Sequence, residues 1–181
     1  MGRHQWIANA GRRKTLGSGH RKEEHVLSIL IPGFGSLTLD HLVLDYNGTL
    51  AVDGVLVPGV KEALNTLSET IAVHVVTADT FGLAAEGLQG VNCKLTVLEK
   101  GSQDQAKADF VNRLGPDRTV SIGNGRNDAL MLSASGLGIV VILAEGACSV
   151  SLNAADVVCT DIIHALDLLM HPLRLTATLR S

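Results

Sequence analysis

From residue 25 onward, short β-rich runs alternate with stretches of helical period. Val26–Ile31 and Ser36–Leu39 flank Pro32-Gly33-Phe34-Gly35 and read as a hairpin over a glycine-supported turn. His41–Tyr46 (HLVLDY) is a strand-like run that ends in a polar cluster. Behind Pro58-Gly59, Val60, Leu64 and Leu67 fall on one helical face. Ala72–Val76 predicts the next strand, Thr77-Ala78-Asp79-Thr80 a loop, and the residues up to Leu88 a helix. Lys94–Leu98 is a strand, and Gln103–Leu114 a helix stopped by Gly115-Pro116. Thr119–Ile122 is a strand that leads through a glycine-rich turn to a helix near Asp128–Ser133. Gly138–Leu143 and Asp156–Cys159 complete the strands, and Ile162–Met170 is the last helix before Pro172.

Strands that alternate with helices of about ten residues describe an α/β fold, a doubly wound and mainly parallel sheet, here with an N-terminal β-hairpin. The pattern places one domain over residues 25–175, between a leader of residues 1–24 and a tail of residues 176–181. Such sheets bind ligands at the carboxyl ends of their strands. That rule selects Asp45, Thr77 and Gly123–Asp128, joined by Lys107 on a helix.

Composition narrows the class. Of 181 residues 46% are apolar and 3% aromatic, which suits an aliphatic buried sheet and excludes a disordered or fibrous chain. The longest apolar run, Leu137–Ala144, is too short to span a bilayer. Charge is uneven: residues 1–25 carry +4 and residues 26–181 carry −7. The acidic remainder argues against nucleic-acid binding except through the basic leader. That leader has no apolar core or small-residue cleavage site, so it reads as a solvated, disordered segment and not a secretory signal. Cys93, Cys148 and Cys159 form no C-x-x-C pair and fit inert thiols in a reducing cytoplasm.

Taken singly, the candidate residues are ordinary. Asp45-Tyr46-Asn47-Gly48-Thr49 offers a carboxylate at a strand tip and a glycine turn whose N–H groups can face a phosphate, but Asp-x-Asn-Gly is also common turn chemistry. Thr77 and Ala78 follow a strand, where a hydroxyl can donate to a phosphoryl oxygen or satisfy its own backbone. Lys107 offers a compact cation, with Lys100 as its rival, and most helix lysines are simply solvated. Gly123-Asn124-Gly125-Arg126-Asn127-Asp128 bends the chain after a strand and presents Asp128 to a hard cation. It lacks the third glycine of a dinucleotide fingerprint.

In this order the four segments resemble the haloacid dehalogenase superfamily of aspartate-nucleophile phosphotransferases, over about residues 41–171. The first is similar to D-x-D-G-T, the second to the Ser/Thr motif and the fourth to G-D-G-x-N-D. Lys107-x-x-x-Val111-x-x-Leu114 and Asn153-Ala154-Ala155-Asp156-Val157-Val158 resemble the phosphorylation domains of P-type ATPases. That likeness selects Lys107 over Lys100. Response-regulator receivers use a similar Asp, Thr and Lys, but their lysine comes last, whereas Lys107 precedes Asp128.

The resemblance implies Mg2+-dependent phosphoryl transfer to Asp45, a phosphatase-like hydrolase activity. Asp45, the Asn47 carbonyl and Asp128 hold the metal, helped by Asn124. Tyr46, Asn47, Gly48, Thr77, Ala78 and Lys107 surround the phosphoryl group, and Thr49 and Asn127 support from behind, Asn127 by orienting Asp128. Two departures matter. Asn47 stands where the general acid/base Asp is expected (P-type ATPases also lack it), and Asn124 stands for the first acid of the last motif. The expectation is slow turnover, and the alternative is a non-catalytic regulatory or assembly protein that responds to phosphate or Mg2+. Asp45 and Thr77 are 32 positions apart and Thr77 and Lys107 are 30 apart, leaving no room for a cap domain. Leu50–Pro58, with Asp53-Gly54 at its turn, supplies only a flap. An open site suits a large phosphorylated substrate, or closure by a second subunit.

Overall fold

The computed structural model describes residues 26–79, 82–99 and 101–181. The leader and Lys100 lie outside them. The hairpin is β1 (Leu27–Ile31) and β2 (Gly35–Leu39), paired antiparallel. It turns Ile29, Ile31, Leu37 and Leu39 inward, as period-two alternation requires. Next come β3 (His41–Leu44) and a small flap of β4 (Ala51–Val52) and β5 (Val55–Leu56), also antiparallel. Asp53 and Gly54 at its tip both have positive φ (50° and 78°), the requirement of a tight type I′ hairpin turn.

The rest alternates: α1 (Val60–Leu67), β6 (Ala72–Thr77), α2 (Ala84–Gly87), β7 (Lys94–Val97), α3 (Gln103–Leu114), β8 (Thr119–Gly123), α4 (Ala129–Ala134), β9 (Leu137–Val141), α5 (Ser149–Ala154), β10 (Val157–Cys159), α6 (Ile162–Met170) and α7 (Pro172–Leu179). Six strands form one parallel sheet in the order β10-β9-β8-β3-β6-β7. The chain moves outward from β3 through β6 to β7, then returns to lay β8, β9 and β10 on the other side. The reversal therefore lies between β3 and β8, where such sheets open a crevice at their carboxyl ends.

Both faces of the sheet are covered, which is why its central strands read as continuous apolar runs. Leu42, Leu44, Val75, Ile122 and Ile139 join the core shared with α1, α6, α7 and the hairpin. Val43 and Val76 pack from the other side against Val111 of α3 and Met131 of α4. No helix among the described residues is long and apolar enough to cross a membrane.

Several elements differ from the pattern-based expectation. β3 ends at Leu44, so Asp45 and Tyr46 are already in the loop. The helix expected up to Leu88 is only the four-residue α2. The helix near Asp128 starts one residue later, after a 3-10 turn over Arg126–Asp128. Two helices were not expected, α5 and α7. Pro172 opens α7 rather than ending structure, because its missing N–H costs nothing at the first helical position. Leu175 is buried, and the Ser181 N–H donates to the Pro32 carbonyl, 3.2 Å.

At the opposite end of the sheet from the crevice, His41 Nδ1 lies 3.2 Å from His74 Nε2, and His74 is edge-on to Phe110. Burial, reinforced by His41 and Lys94, drives His74 down to about 4, so it is neutral in the folded chain at neutral pH. The unfolded chain binds that proton near pH 6.5. Its contribution is therefore full above about pH 6.5 and is lost as pH falls towards 4. Melting temperature followed from pH 7 to 5 should fall less steeply for His74→Gln than for the wild type; equal slopes would contradict the assignment.

Candidate active site

The crevice at the reversal point brings Asp45, Lys107 and Asp128 together. β3 and β8 run in register from His41 opposite Thr119 to Leu44 opposite Ile122, and the Asp45 N–H extends the ladder to the Ile122 carbonyl, 3.0 Å. This sets Asp45 beside the loop that follows β8. The Tyr46 carbonyl then accepts from Leu50 and Ala51 (2.8 and 2.9 Å), and Gly48 at φ +75° lets the chain turn back tightly. The Tyr46 ring is buried in the core with its hydroxyl donating to the Gly54 carbonyl, 3.2 Å. Of that residue, only the backbone faces the crevice chemistry.

Lys107 reaches the same point from α3. It lies one turn before Val111 on the face turned to the sheet, and its side chain is fully buried. Its ammonium donates to Asp45 Oδ1 and to Asp128 Oδ1, each at 2.6 Å. Asp128 Oδ2 accepts from the backbone N–H groups of Asn124 and Gly125, 2.9 and 2.8 Å. A Cβ on Gly123 would stand 2.5 Å from Asp128 Cγ, so only glycine lets that carboxylate close in. Ser151 of α5 donates to the Gly125 carbonyl and pins the loop from outside.

Electrostatics follow from this crowding. Burial and the neighbouring Asp128 charge push Asp45 up to about 7, against the opposing pull of Lys107 and the Tyr46 N–H. Burial works against the Lys107 charge too, yet Asp45 and Asp128 hold it above its ordinary value. Two carboxylates share one ammonium, and the site remains short of positive charge.

Other expected residues have definite places. Thr77 ends β6, buried, and its hydroxyl oxygen accepts from the Asp79 N–H at 3.1 Å, which leaves its proton free to donate. Ala78 follows, half-buried. Asn47 is half-buried beside a cavity of about 560 Å3 lined by Asn47, Asp53, Gly54, Leu83 and Glu145. Thr49 donates to Asn124 Oδ1 (3.2 Å), and Asn124 Nδ2 donates to the Gly146 carbonyl (3.0 Å). Asn127 does not bond Asp128; its amide donates to Gln103 Oε1 on α3, 3.3 Å. Backbone N–H groups do the orienting expected of it. Ser151 and Glu145 were not foreseen: one lies on an unexpected helix, and the other bonds the Asp53 N–H (3.0 Å) across 92 positions of sequence.

The donor set can be tested against a metal. Among the described residues no group of three or more His, Cys, Asp or Glu side chains is placed to hold one, which does not suit a closed zinc centre. Two carboxylates with oxygen donors only, one of them pushed up by burial and by its acidic neighbour, do suit Mg2+, which keeps waters and takes one or two carboxylates plus a substrate phosphate.

No family model matches the chain. The uncharacterized protein MJ0073 of Methanocaldococcus jannaschii is 43% identical over 84 residues, 44% of this chain and 90% of that protein. Among solved structures, 3-deoxy-D-manno-octulosonate 8-phosphate phosphatase from Moraxella catarrhalis, in complex with magnesium, phosphate and KDO, superposes with a TM-score of 0.61 at 14% identity. The match covers 74% of this chain and 86% of that one. The cobalt-bound form of deoxy-D-mannose-octulosonate 8-phosphate phosphatase (YrbI) from Haemophilus influenzae gives 0.62 at 16% identity, over 79% and 94%. At these identities the likeness is one of fold.

The charge imbalance predicts opposite effects on stability. Lys107→Met strands two buried carboxylates and should destabilise the metal-free chain by about 3–5 kcal/mol. Asp45→Asn removes one of the competing charges and should melt at or above the wild type at pH 8 in chelator. Chemical denaturation of the three proteins checks both; a stable Lys107→Met would show that the ammonium is not the keystone.

Proposed function

The chain belongs to the same family as MJ0073 and has the haloacid dehalogenase fold, and on that premise we propose that it is a Mg2+-dependent, phosphatase-like hydrolase with Asp45 as nucleophile. The observation that carries the reading is Asp45 and Asp128 gathered on the Lys107 ammonium at the sheet's reversal point. Such a costly burial of charge is typical of a site built for chemistry. The segments Lys107–Leu114 and 153–158 support a nearer likeness to the phosphorylation domains of P-type ATPases.

In this reading a carboxylate oxygen of Asp45 attacks phosphorus in line as the bond to the leaving oxygen breaks, giving an aspartyl phosphate. The ammonium of Lys107 and the hydroxyl proton of Thr77 hold the equatorial oxygens, aided by backbone N–H groups of the 46–48 turn. Mg2+ held by Asp45, the Asn47 carbonyl and Asp128 would supply neutralising charge to those oxygens. The Asn47 amide can neither protonate the leaving oxygen nor take a proton from the attacking water. Solvent supplies and accepts those protons, and both steps are slow. Asp53 and Glu145 on the wall of the adjoining cavity favour a neutral or cationic leaving group over an anionic one. With only the flap above it, the site admits a large substrate or closes against a second copy.

The test is a screen of neutral, cationic and carboxylate-bearing phosphate monoesters with Mg2+, scored by phosphate release and by trapping the acyl phosphate. Turnover should vanish in chelator and in Asp45→Asn; hydrolysis by pure Asp45→Asn at the wild-type rate would falsify the mechanism. The second reading, a non-catalytic phosphate- or Mg2+-responsive protein, is favoured by Asn47, and it predicts phosphate binding without release. Asn47→Asp discriminates further. General acid–base catalysis contributes ~10²–10⁴-fold, so the restored carboxyl should raise kcat/KM, and more so for poor leaving groups. A slower Asn47→Asp across a leaving-group series would mean that another group handles the protons.

A further inference from the structure

We infer that Asn124 is a positioning residue, whose amide locks the Gly146 loop to the nucleophile turn so that Glu145 of that loop holds the flap over the site. Every polar group of Asn124 is in use. Its N–H donates to Asp128 Oδ2 and its carbonyl accepts from the Cys148 N–H, 2.9 and 2.8 Å. Its side-chain oxygen accepts from Thr49, 3.2 Å, and its side-chain nitrogen donates to the Gly146 carbonyl, 3.0 Å. The amide also lies flat on the turn: a Cβ on Gly48 would stand 2.3 Å from Asn124 Nδ2. One residue before the anchored Gly146, Glu145 Oε1 accepts the Asp53 N–H at the flap tip, 3.0 Å. The loop between is itself closed by the Gly146 N–H bonding the Leu143 carbonyl, 2.9 Å.

The relay needs an asparagine. An Asp at 124 could still accept from Thr49, but its other oxygen would face the Gly146 carbonyl with no proton to donate, a buried acceptor against an acceptor. The amide is thus the group that this joint requires. The consequence is a flap whose closure depends on a contact far from its own base. Glu145 and Asp53 bound the leaving-group cavity, so loosening the relay widens the place where the substrate's departing group rests.

The relay is tested by amide hydrogen exchange on the full chain, which needs no turnover and so stands apart from the phosphatase reading. Glu145→Ala should speed exchange at the Asp53 amide about five- to tenfold, the effect of one lost hydrogen bond. Glu145→Gln keeps an acceptor oxygen and should restore protection. Asn124→Asp should speed the same amide, and the double variant Asn124→Asp/Glu145→Ala should exchange no faster than Glu145→Ala alone. Wild-type protection of Asp53 in folded Asn124→Asp, or rates that multiply in the double variant, would overturn the inference. If Asn124→Asp does not fold, Asn124→Ala, which removes both side-chain bonds without adding charge, carries the same comparison. On an aryl phosphate with Mg2+, Glu145→Ala should raise KM about fivefold with a smaller change in kcat. A wild-type chain with no turnover would sink the phosphatase reading and leave the exchange result standing.

Discussion

The structure depends on one buried ammonium. Lys107 carries its charge to the centre of the crevice with no exposure to solvent and shares it between two carboxylates 2.6 Å away on either side. Removing three ionised groups from water is expensive, and a single cation between two anions does not balance the account. Burial, and then the neighbouring Asp128 charge, raise Asp45 accordingly. What keeps the arrangement in place is the fold around it: β3 and β8 register the two acids side by side, and α3 packs Val111 against Val43 and Val76 so that the lysine stem has only one direction to go.

The same deficit explains the loop chemistry around Asp128. A carboxylate that shares its cation needs other donors, and the backbone N–H groups of Asn124 and Gly125 supply them to Oδ2. Those donors reach it only because Gly123 leaves space that any side chain would fill. The loop is then braced by Ser151 and by Asn124, so the polar network around the charge is closed on all sides. Among the described residues no buried side-chain nitrogen or oxygen lacks a hydrogen-bond partner. A half-satisfied network at this depth would cost more than an apolar core.

Much of this was legible in the sequence. Strand-to-loop junctions near residues 77 and 123 follow from apolar runs that stop at polar residues or glycine, while β3 ends two residues before the expected Tyr46; α3 and α6 match the expected Gln103–Leu114 and Ile162–Met170. The aliphatic runs of β3, β6 and β8 also announced a sheet covered on both faces. What stayed hidden depends on long-range geometry. No local pattern says that Asn127 bonds Gln103 rather than Asp128, or that Glu145 finds the flap. α5 is short and has one fully buried serine in place of an apolar stripe, so its period is too faint to read. α7 was masked by Pro172, which marks a helix start as readily as a stop.

The two asparagines that depart from the family pattern differ in kind, and the difference bears on whether the site works. Asn124 is held at both ends of its amide, and a carboxylate in its place would break the joint to Gly146. It serves the joint that this chain builds there, and that alone says nothing about lost activity. Asn47 is different: its side chain makes no hydrogen bond to the described residues, and it stands half-buried on the cavity lined by Asp53 and Glu145, where a carboxyl would fit without disturbing any contact. Its effect is therefore chemical. In the proposed phosphatase reading it would slow proton transfer and leave phosphoryl binding and Asp45 untouched. A chain relieved of catalysis would have no reason to keep Lys107 and two carboxylates buried together, because replacing such a cluster with apolar residues is often stabilising. The cost retained at Asp45, Lys107 and Asp128 thus favours the proposed nucleophile over the non-catalytic reading.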